Sequence, residues 1–376
     1  MGTSRTCERS FLQGIAKYSS LLGPWTLYTR PPYYLKSKKH FMPHLLKWGV
    51  QGIVACNTEV DEEMINSNIP IISLAATRQI PGLINVIGNP IEAGQMAAEH
   101  FIQRGFQNFA FCGIGKIYWS LGRRDNFRDT VKKAGFETHI FTEPESLYYN
   151  SWQKTQLELV QWLQALPKPI GLMTCADDCS QHVIEACHLA NINVPDEISI
   201  IGTDNDELVC SLSHPTLSSV ALDFESAGYE AATILNKVIK GDKTAIQNIM
   251  IRASRVVERQ SCNILAINNK NVVDAIVFIQ DNAKDPIQVI DVVNASCLSR
   301  RSLELEFKKH CNCSVHTQIK HYRVKLICKM LTETNMTIGQ IAKEMAFTNI
   351  PHISRYFHDS MKIRPSDYRK KQAQTY

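Results

Sequence analysis

The chain has 376 residues, which is enough for two or three domains. Its content of 44% hydrophobic and 20% charged residues is typical of a soluble globular protein. No apolar run approaches the roughly 18 residues of a membrane-spanning helix, and no apolar stretch follows the first basic residues, which argues against a secretory signal. The net charge of +5 is uneven, since residues 266–376 hold 17 of the 41 Lys and Arg but only 10 of the 36 Asp and Glu. This imbalance predicts that the C-terminal part meets a polyanion.

Residues 1–262 alternate short apolar runs with amphipathic, helix-like stretches. The apolar runs are Gly52–Cys56, Ile69–Ala75, Ile84–Gly88, Phe109–Gly113, Thr138–Thr142, Ile170–Thr174 and Ile198–Gly202. The amphipathic stretches include Ile91–Arg104, Asp125–Lys133, Trp152–Ala165 and Ser180–Asn191. Continuous apolar strands between helices indicate parallel sheets covered on both faces. Seven strands exceed one such sheet, so we predict two α/β lobes in series, with a ligand cleft at the carboxyl ends of the strands.

A change of pattern near residue 263 predicts a domain boundary. Residues 263–270 lack periodicity and are predicted to be a linker between a first domain, 1–262, and a second, 271–376. Only helical periodicity follows, for example at Ile319, Tyr322, Leu326 and Met330. The second domain is therefore predicted to be all-α.

Two segments of the predicted all-α domain share one layout. Val289–Asn294 and Ser299–His310 form the first segment, and Ile338–Met345 and Asn349–Ser360 form the second. Each is a short helix, a tight turn and a longer helix with basic residues near its start. This layout predicts two helix-turn-helix units, whose second helices enter the major groove of DNA.

The helical domain resembles the AraC/XylS family of transcription regulators. The resemblance rests on Leu298–Phe307, on Ile341–Phe347 and on Arg364–Arg369, and it covers nearly all of residues 271–370. Cys297, Ala346 and Lys362 depart from the family pattern. Glycine is usual at Ala346 and Lys362, and Cys297 holds the place in the first unit that Ala346 holds in the second. If such a turn requires positive φ, a non-glycine residue costs about 1 kcal/mol.

A second set of departures concerns the recognition helix of the second unit. Pro351 is tolerated only in the first turn of a helix, so this helix is expected to begin late. His352 and Ile353 replace the aromatic pair that is usual in the family.

The N-terminal part resembles LacI/GalR-type regulators and periplasmic sugar-binding proteins. The resemblance is carried by Gly94, Glu99–Phe101, Arg104–Phe106, Ile200–Asp206 and Pro215–Val220. It implies a two-lobed, type I periplasmic-binding-protein-like sensor. This order of domains is similar to the xylose operon regulator subgroup, as are Arg9, Gly14, Gly23-Pro24, Trp25, Phe111–Gly113 and Trp119-Ser120.

Six residues are implied as the ligand-binding set. Sugars present hydroxyls above apolar C–H faces, so their sites combine carboxylates, arginine and aromatic rings. By position the resemblance implies Arg123, Asp204 and Phe224 as sugar contacts, with Asp177 and Trp119 as neighbours and Arg9 completing the first-lobe wall. Each of these residues could instead have a purely structural role. Asp204 could cap a turn, Trp119 could belong to the core, and Arg123 could form a surface ion pair. Ala176 stands where the family often has an amide side chain.

Eight residues of the two recognition helices are predicted to contact DNA. Ser299 can cap its helix while Arg300 and Arg301 point outward, where arginine binds guanine edges or phosphates. The alternative is that the two arginines only solvate a helix face. The predicted DNA-contacting residues are Ser299, Arg300, Arg301, Ser302, Glu304, Asn349, His352 and Arg355.

The beginning of the chain carries a further expectation. Thr3-Ser4-Arg5 matches the exit of the first strand of the sensor fold. That strand would be central, and its loss would leave a row of backbone groups unpaired. We therefore expect the native start to lie upstream or the chain to be shortened.

Together with the basic helical domain, the two resemblances imply a cytoplasmic transcription regulator of sugar-use genes, with xylose or a related pentose as the favoured sugar. Its expected partners are double-stranded DNA, a monosaccharide, a second copy of the chain and RNA polymerase, with no membrane. No cofactor or metal is expected, since the twelve cysteines are scattered without a CxxC pair and fit free thiols. One alternative is a regulator whose sensor no longer binds ligand and only dimerises. Another is a sugar-converting enzyme, although GxSxG, P-loop, HExxH and GxGxxG motifs are absent.

Overall fold

The structure, a computed structural model, describes residues 6–23, 25–28, 41–75, 77–115, 117–143, 152–242, 247–264, 269–311 and 313–373. Within these, the strands are β1 Ile53–Cys56, β2 Ile71–Leu74, β3 Ile84–Gly88, β4 Phe109–Ile114, β5 Thr138–Glu143, β6 Ile170–Thr174, β7 Ile198–Asp204, β8 Ser218–Leu222, β9 Ile249–Ile251 and β10 Ala253–Val257. The helices up to residue 263 are α1 Thr6–Leu22, α2 Phe41–Lys47, α3 Glu62–Ile65, α4 Pro90–Gln103, α5 Tyr118–Lys133, α6 Trp152–Ala165, α7 Asp177–Leu189, α8 Glu207–Leu212 and α9 Phe224–Ile239. The later helices are α10 Lys270–Asp281, α11 Val289–Ser296, α12 Arg300–Cys311, α13 Val315–Glu333, α14 Ile338–Glu344, α15 Ile350–Met361 and α16 Pro365–Ala373.

The chain divides into two compact units. Residues 1–99 and 108–263 form the first unit, and residues 100–107 and 264–376 form the second. Thr3–Arg5, Pro24 and residues 265–268 of the predicted linker lie outside the described residues. Within the described part of the chain, no helix combines the length and the apolar character needed to cross a bilayer.

The first unit contains two sheets, as the alternation of apolar runs predicts. One has the order β1-β2-β3-β9 and is parallel throughout. The other has the order β10-β8-β7-β6-β4-β5, in which only β10 is antiparallel. The chain passes between the sheets three times, after β3, after β8 and after β9. The predicted two-lobed α/β architecture is confirmed, but the prediction that the lobes follow each other in series is wrong, because the chain returns to the first sheet at β9 and leaves it again at β10.

Buried strands explain why the apolar runs predicted the sheets. Every residue of β4 and β6 is buried, as expected of parallel strands covered on both faces. β8 was not among the predicted strands because it begins with two serines, yet both are fully buried. Ser218 N donates to Ser261 Oγ at 2.9 Å, so its polar groups are satisfied inside the protein.

Helices α1 and α9 pack backbone to backbone in the first unit. A Cβ added to Gly14 would overlap the carbonyl of Glu225, and one added to Gly228 would overlap the carbonyl of Phe11. Lys17 Nζ lies 3.1 Å from a carboxylate oxygen of Glu225 and extends the same contact. Glycine is therefore required at both crossing positions.

The second unit is helical and has two hydrophobic clusters. The first includes Ile276, Val292, Leu303 and Phe307, and the second includes Ile341, Ile353 and Phe357. Helix α13 contributes to both, because Ile319 and Tyr322 lie in the first cluster while Ile327 and Leu331 lie in the second. Each cluster holds one helix-turn-helix pair, α11 with α12 and α14 with α15.

Three departures from glycine fall at left-handed backbone positions. Cys297, Ala346 and Lys362 have φ of 55°, 53° and 56°. The turns therefore do require positive φ, and each carries a side chain that the left-handed region disfavours. Pro351 is accommodated because α15 begins at Ile350, which leaves the proline in the first turn.

Candidate functional sites

Four parallel strands of the larger sheet direct predicted ligand residues to one edge. In the order β8-β7-β6-β4 their carboxyl ends lie side by side. Asp204 ends β7, Asp177 begins α7 after β6, and Phe224 begins α9 after β8. Arg123 lies on α5, the helix that follows β4. This edge is where open α/β sheets bind ligands.

Arg123 is the centre of this edge. It is 5% exposed, its Nη2 lies 3.0 Å from Asp204 Oδ1, and its Nη1 donates to the Cys175 carbonyl. The guanidinium carbon is 5.0 Å from the ring centroid of Trp119, within cation–π range. The structure thus brings Trp119, Arg123 and Asp204 together. The Asp204 side chain is 29% exposed, so the group can still be reached from outside.

Asp177 lies behind these residues and is 2% exposed. Its Oδ1 accepts from Ser219 Oγ at 2.6 Å, and its Oδ2 accepts from the backbone N–H of Asp206 at 2.7 Å. Burial, and then the charge of Asp204, raise the pKa of Asp177 well above its ordinary value. Both oxygens are engaged by the protein, so the observed contacts of Asp177 are structural.

A strained turn carries Asp204. Asp204 and Asn205 have φ of 105° and 53°, in the left-handed region that costs a non-glycine residue about 1–3 kcal/mol. Asn205 N donates to Ser219 Oγ at 3.0 Å, and Arg259 Nη2 donates to Asn205 Oδ1 at 3.0 Å. Together with Asp177, these contacts hold the turn in place.

Two hydrogen bonds join the lobes beside the Arg123 group. Tyr118 Oη donates to the Ala75 carbonyl at 2.6 Å, which links α5 to the end of β2. Thr6 N, at the start of α1, donates to Asp206 Oδ2 at 3.3 Å. Burial raises the pKa of Tyr118 to about 12, so its hydroxyl keeps its proton at neutral pH. The lobes therefore meet at the edge where the predicted ligand residues lie.

Arg9 and Phe224 take more peripheral places. Arg9 is exposed on the first turns of α1, with its Nη2 3.0 Å from Thr6 Oγ1. Phe224 is half-buried at the first position of α9, which Asp223 caps by accepting from Ser226 N at 3.1 Å. Both belong to helices that begin at the edge occupied by Asp204.

The cysteines and the other side chains that could bind metals are dispersed over the residues that the structure describes. Within it, no group of three or more His, Cys, Asp or Glu side chains is arranged to hold a metal ion. All twelve cysteines are free thiols. Cys112 and Cys179 have their sulfur atoms 3.8 Å apart in the core of the larger sheet.

The first helix-turn-helix pair presents a basic helix start. Ser299 Oγ accepts from Ser302 N at 3.2 Å and lies 2.9 Å from Ser302 Oγ, so Ser299 caps α12 as predicted. Arg300 and Arg301 are exposed. Glu304 is half-buried and its Oε2 accepts from the backbone N–H of Val315 at 3.3 Å, which engages it with the next helix.

The second pair has the same arrangement. Asn349 caps α15 through His352 N, which donates to Asn349 Oδ1 at 2.9 Å. The His352 ring lies 5.1 Å from Phe347 in an edge-on contact, and its Nδ1 is 3.2 Å from Thr348 Oγ1. Arg355 is exposed on the next turn. Both recognition helices thus bury an apolar face and leave polar and basic residues outside.

Comparison with known proteins agrees with both halves of the structure. Residues 98–262 match the periplasmic binding protein-like domain, and residues 292–371 match a helix-turn-helix domain. The xylose operon regulatory protein of Escherichia coli K12 is 24% identical over 97% of this chain and 94% of its own length. That of Haemophilus influenzae is 29% identical over 73% and 72%.

A solved structure aligns with nearly the whole chain. The structure of the xylose-binding transcription activator xylR aligns with a TM-score of 0.60 and 23% identity, covering 98% of this chain and 96% of the other. The chain is a DNA-binding transcription regulator that joins a periplasmic binding protein-like domain to a helix-turn-helix domain. The predicted resemblance is confirmed.

Several residues that hold the turns and helices of this regulator in place were not predicted from the sequence. Tyr118, Ser219 and Arg259 act on backbone groups or on other protein side chains, so nothing in their spacing marks them. Arg323 of α13 was also missed, although it is 4% exposed and donates to three backbone carbonyls. The one signal in the sequence was that Arg323 is a charged residue within the predicted apolar stripe from Ile319 to Met330.

Proposed function

We propose that this regulator senses a pentose, xylose or a close relative, between the two lobes of its first domain. The proposal takes residues 1–262 as the sensing domain, 263–270 as the linker and 271–376 as the DNA-binding domain. The observation that carries it is the group of Trp119, Arg123 and Asp204 at the carboxyl edge of the sheet. The names of the xylose operon relatives support the choice of sugar.

The chemistry of this group suits a small polyol. Asp204 and Arg123 offer charged acceptors and donors to adjacent hydroxyls, and hydrogen bonds with charged groups contribute about 1.5–3 kcal/mol. Trp119 supplies an aromatic face for the C–H side of a sugar ring. Phe224 and Arg9 complete the walls, and Asp177 acts by fixing the turn that carries Asp204.

Sugar binding is proposed to stabilise one arrangement of the lobes and to change how a dimer of the regulator presents its helix-turn-helix pairs to DNA. Ser299, Arg300, Arg301, Ser302, Asn349, His352 and Arg355 are proposed to contact DNA, with Glu304 at their edge. Transcription of sugar-use genes by RNA polymerase then rises, in the cytoplasm and without turnover of the sugar. A coupling of about 1–3 kcal/mol suffices for a 5- to 150-fold response.

A second candidate function is a regulator whose sensor no longer binds ligand and serves dimerisation alone. One observation favours it, since Arg123 is already held by Asp204 and by the Cys175 carbonyl, and Tyr118 already joins the lobes. A ligand must then compete with contacts that exist without it.

Thermal unfolding against a panel of pentoses and hexoses separates the two functions. All five tryptophans lie between residues 25 and 162, so their fluorescence reports on the first domain alone. D-xylose at about 100 times its dissociation constant is expected to add roughly 2.7 kcal/mol of stability, and L-xylose, its mirror image, none. A flat response to every sugar, in a protein that still binds DNA, would establish the second candidate instead.

A further inference from the structure

Arg323 is a buried cation at the middle of the helical unit. It lies on α13, the helix that separates the two helix-turn-helix pairs, and is 4% exposed. Its Nη1 donates to the carbonyls of Ala283, at 3.1 Å, and of Asp285, while its Nη2 donates to the Met345 carbonyl at 2.7 Å. All three carbonyls lie outside α13, so these hydrogen bonds do not stabilise that helix itself but connect it to other segments.

The three carbonyls belong to different halves of the domain. Ala283 and Asp285 lie between α10 and α11, in the segment that leads into the first helix-turn-helix pair. Met345 follows α14 and precedes the left-handed Ala346 in the turn of the second pair. One rigid, planar guanidinium group therefore contacts both the segment that leads into the first pair and the turn of the second pair.

Aromatic contacts extend this connection to the second recognition helix. The Arg323 guanidinium carbon lies 5.0 Å from the ring centroid of Phe347 and 6.0 Å from that of Tyr356, which belongs to α15. Stacking and forked hydrogen bonding are properties of arginine that lysine does not share. The orientation of α15 is therefore tied to the same side chain.

A surface ion pair joins the same two segments. Lys284 Nζ pairs with Glu344 Oε1, so the α10–α11 segment contacts the end of α14 a second time. Both side chains are about half exposed, at 52% and 42%, which makes them accessible to substitution without disturbing the core.

We propose that Arg323, assisted by the Lys284–Glu344 pair, is a positioning residue that fixes the separation and orientation of α12 and α15. Each protomer then reads its DNA as two half-motifs at one fixed spacing. The proposal rests on the proposed function, namely that both recognition helices contact DNA. A shift of one base pair moves a half-site by about 3.4 Å and rotates it about the helix axis, so a rigid pair of readers rejects it.

Selection of bound sequences from a random double-stranded DNA library tests this with the full chain. For each protomer bound, the wild type is expected to select two half-motifs at a single spacing. Arg323→Lys keeps the charge but loses the fork, so it is expected to select the same half-motifs over several spacings. Its affinity for the best-spaced site is expected to fall about tenfold, because linked binding modules lose affinity when their geometry is relaxed.

The ion pair provides variants that do not depend on the buried site. Lys284→Glu places two carboxylates together and is expected to broaden the spacing, and the exchange of both charges, Lys284→Glu with Glu344→Lys, is expected to restore it. The control is Lys329→Met, which removes an exposed charge from α13, the helix of Arg323. It is expected to leave the spacing unchanged. If Arg323→Lys unfolds in circular dichroism, the ion-pair series decides.

Two results would overturn the inference in different ways. Folded Arg323→Lys and Lys284→Glu proteins that select one spacing, as the wild type does, would refute the positioning role while leaving the proposed function intact. A wild type that selects only one half-motif would refute the premise of two readers as well.

Discussion

Arg123 Nη2 and Asp204 Oδ1 lie 3.0 Å apart, although Arg123, on helix α5, and Asp204, at the end of β7, are 81 positions apart in the sequence. The arginine is nearly buried and the carboxylate is partly open, so the pair has a protein-facing side and an open side. This asymmetry suits the proposed role, in which one ion pair both fixes a side chain and receives a polar ligand.

Asp204→Asn is expected to weaken D-xylose binding by roughly 10- to 100-fold, since it removes a charged acceptor and with it about 1.5–3 kcal/mol. Isothermal titration calorimetry measures the change. Asp125→Asn is the matched control. Asp125 lies on α5, the helix of Arg123, but on its more exposed face, where it pairs with Arg124 at 2.9 Å. If Asp204→Asn and Asp125→Asn bind D-xylose with equal affinity, Asp204 does not contact the sugar.

The pH dependence of stability is expected to report on Asp177. Its pKa is raised by burial and by Asp204, above the ordinary value of 3.8. A raised pKa contributes stability that is fully present below the unfolded value and is lost as the pH rises through the folded value. The stability advantage of the wild type over Asp177→Asn should therefore shrink as the pH rises from 4. Tryptophan-detected urea unfolding at several pH values measures it, and a constant difference would contradict the assignment.

The left-handed turn residues are expected to be suboptimal. Cys297→Gly, Ala346→Gly and Lys362→Gly should each stabilise the helical domain by about 1 kcal/mol, because glycine adopts positive φ without a steric cost. Hydrogen exchange of peptides from residues 289–361 measures this locally. Lys343→Gly, at an exposed helical position beside Ala346, should destabilise by about 1 kcal/mol. The same sign for both kinds of substitution would refute the explanation.

The crossing of α1 and α9 is expected to tolerate no side chain at Gly228. Gly228→Ala forces a methyl group into the carbonyl of Phe11 and should cost at least 1–3 kcal/mol of first-domain stability. Glu230→Ala, exposed on the same helix, should change stability by less than about 0.5 kcal/mol. Thermal unfolding followed by tryptophan fluorescence compares them, and a neutral Gly228→Ala would show that the helices can separate.

The sequence predicted the sheets where apolar residues form uninterrupted runs, as in β4 and β6, because burial on both faces leaves that record. It did not predict β8, whose buried Ser218 and Ser219 are satisfied by partners distant in the chain. The start of α12 was predicted because Ser299 is a local cap, recognisable without knowledge of the fold, whereas the Asn349 cap of α15 was not predicted.

The sequence predicted several of the residues that the structure brings together, but not what each of them contacts. Trp119, Arg123 and Asp204 meet at one sheet edge, whereas Asp177 engages the turn behind them. Arg323 could not be predicted as a bridge, because its hydrogen-bond acceptors are backbone carbonyls 40, 38 and 22 residues away. A backbone carbonyl leaves no trace in residue type.

The central claim is that a sugar bound beside Arg123 controls DNA binding by the helical domain. The most direct measurement is the affinity of the full chain for its selected DNA, by fluorescence anisotropy, with and without saturating D-xylose. The account predicts a change of at least about fivefold with D-xylose, and none with L-xylose or in Asp204→Asn. An affinity that stays the same while calorimetry shows D-xylose bound would contradict it.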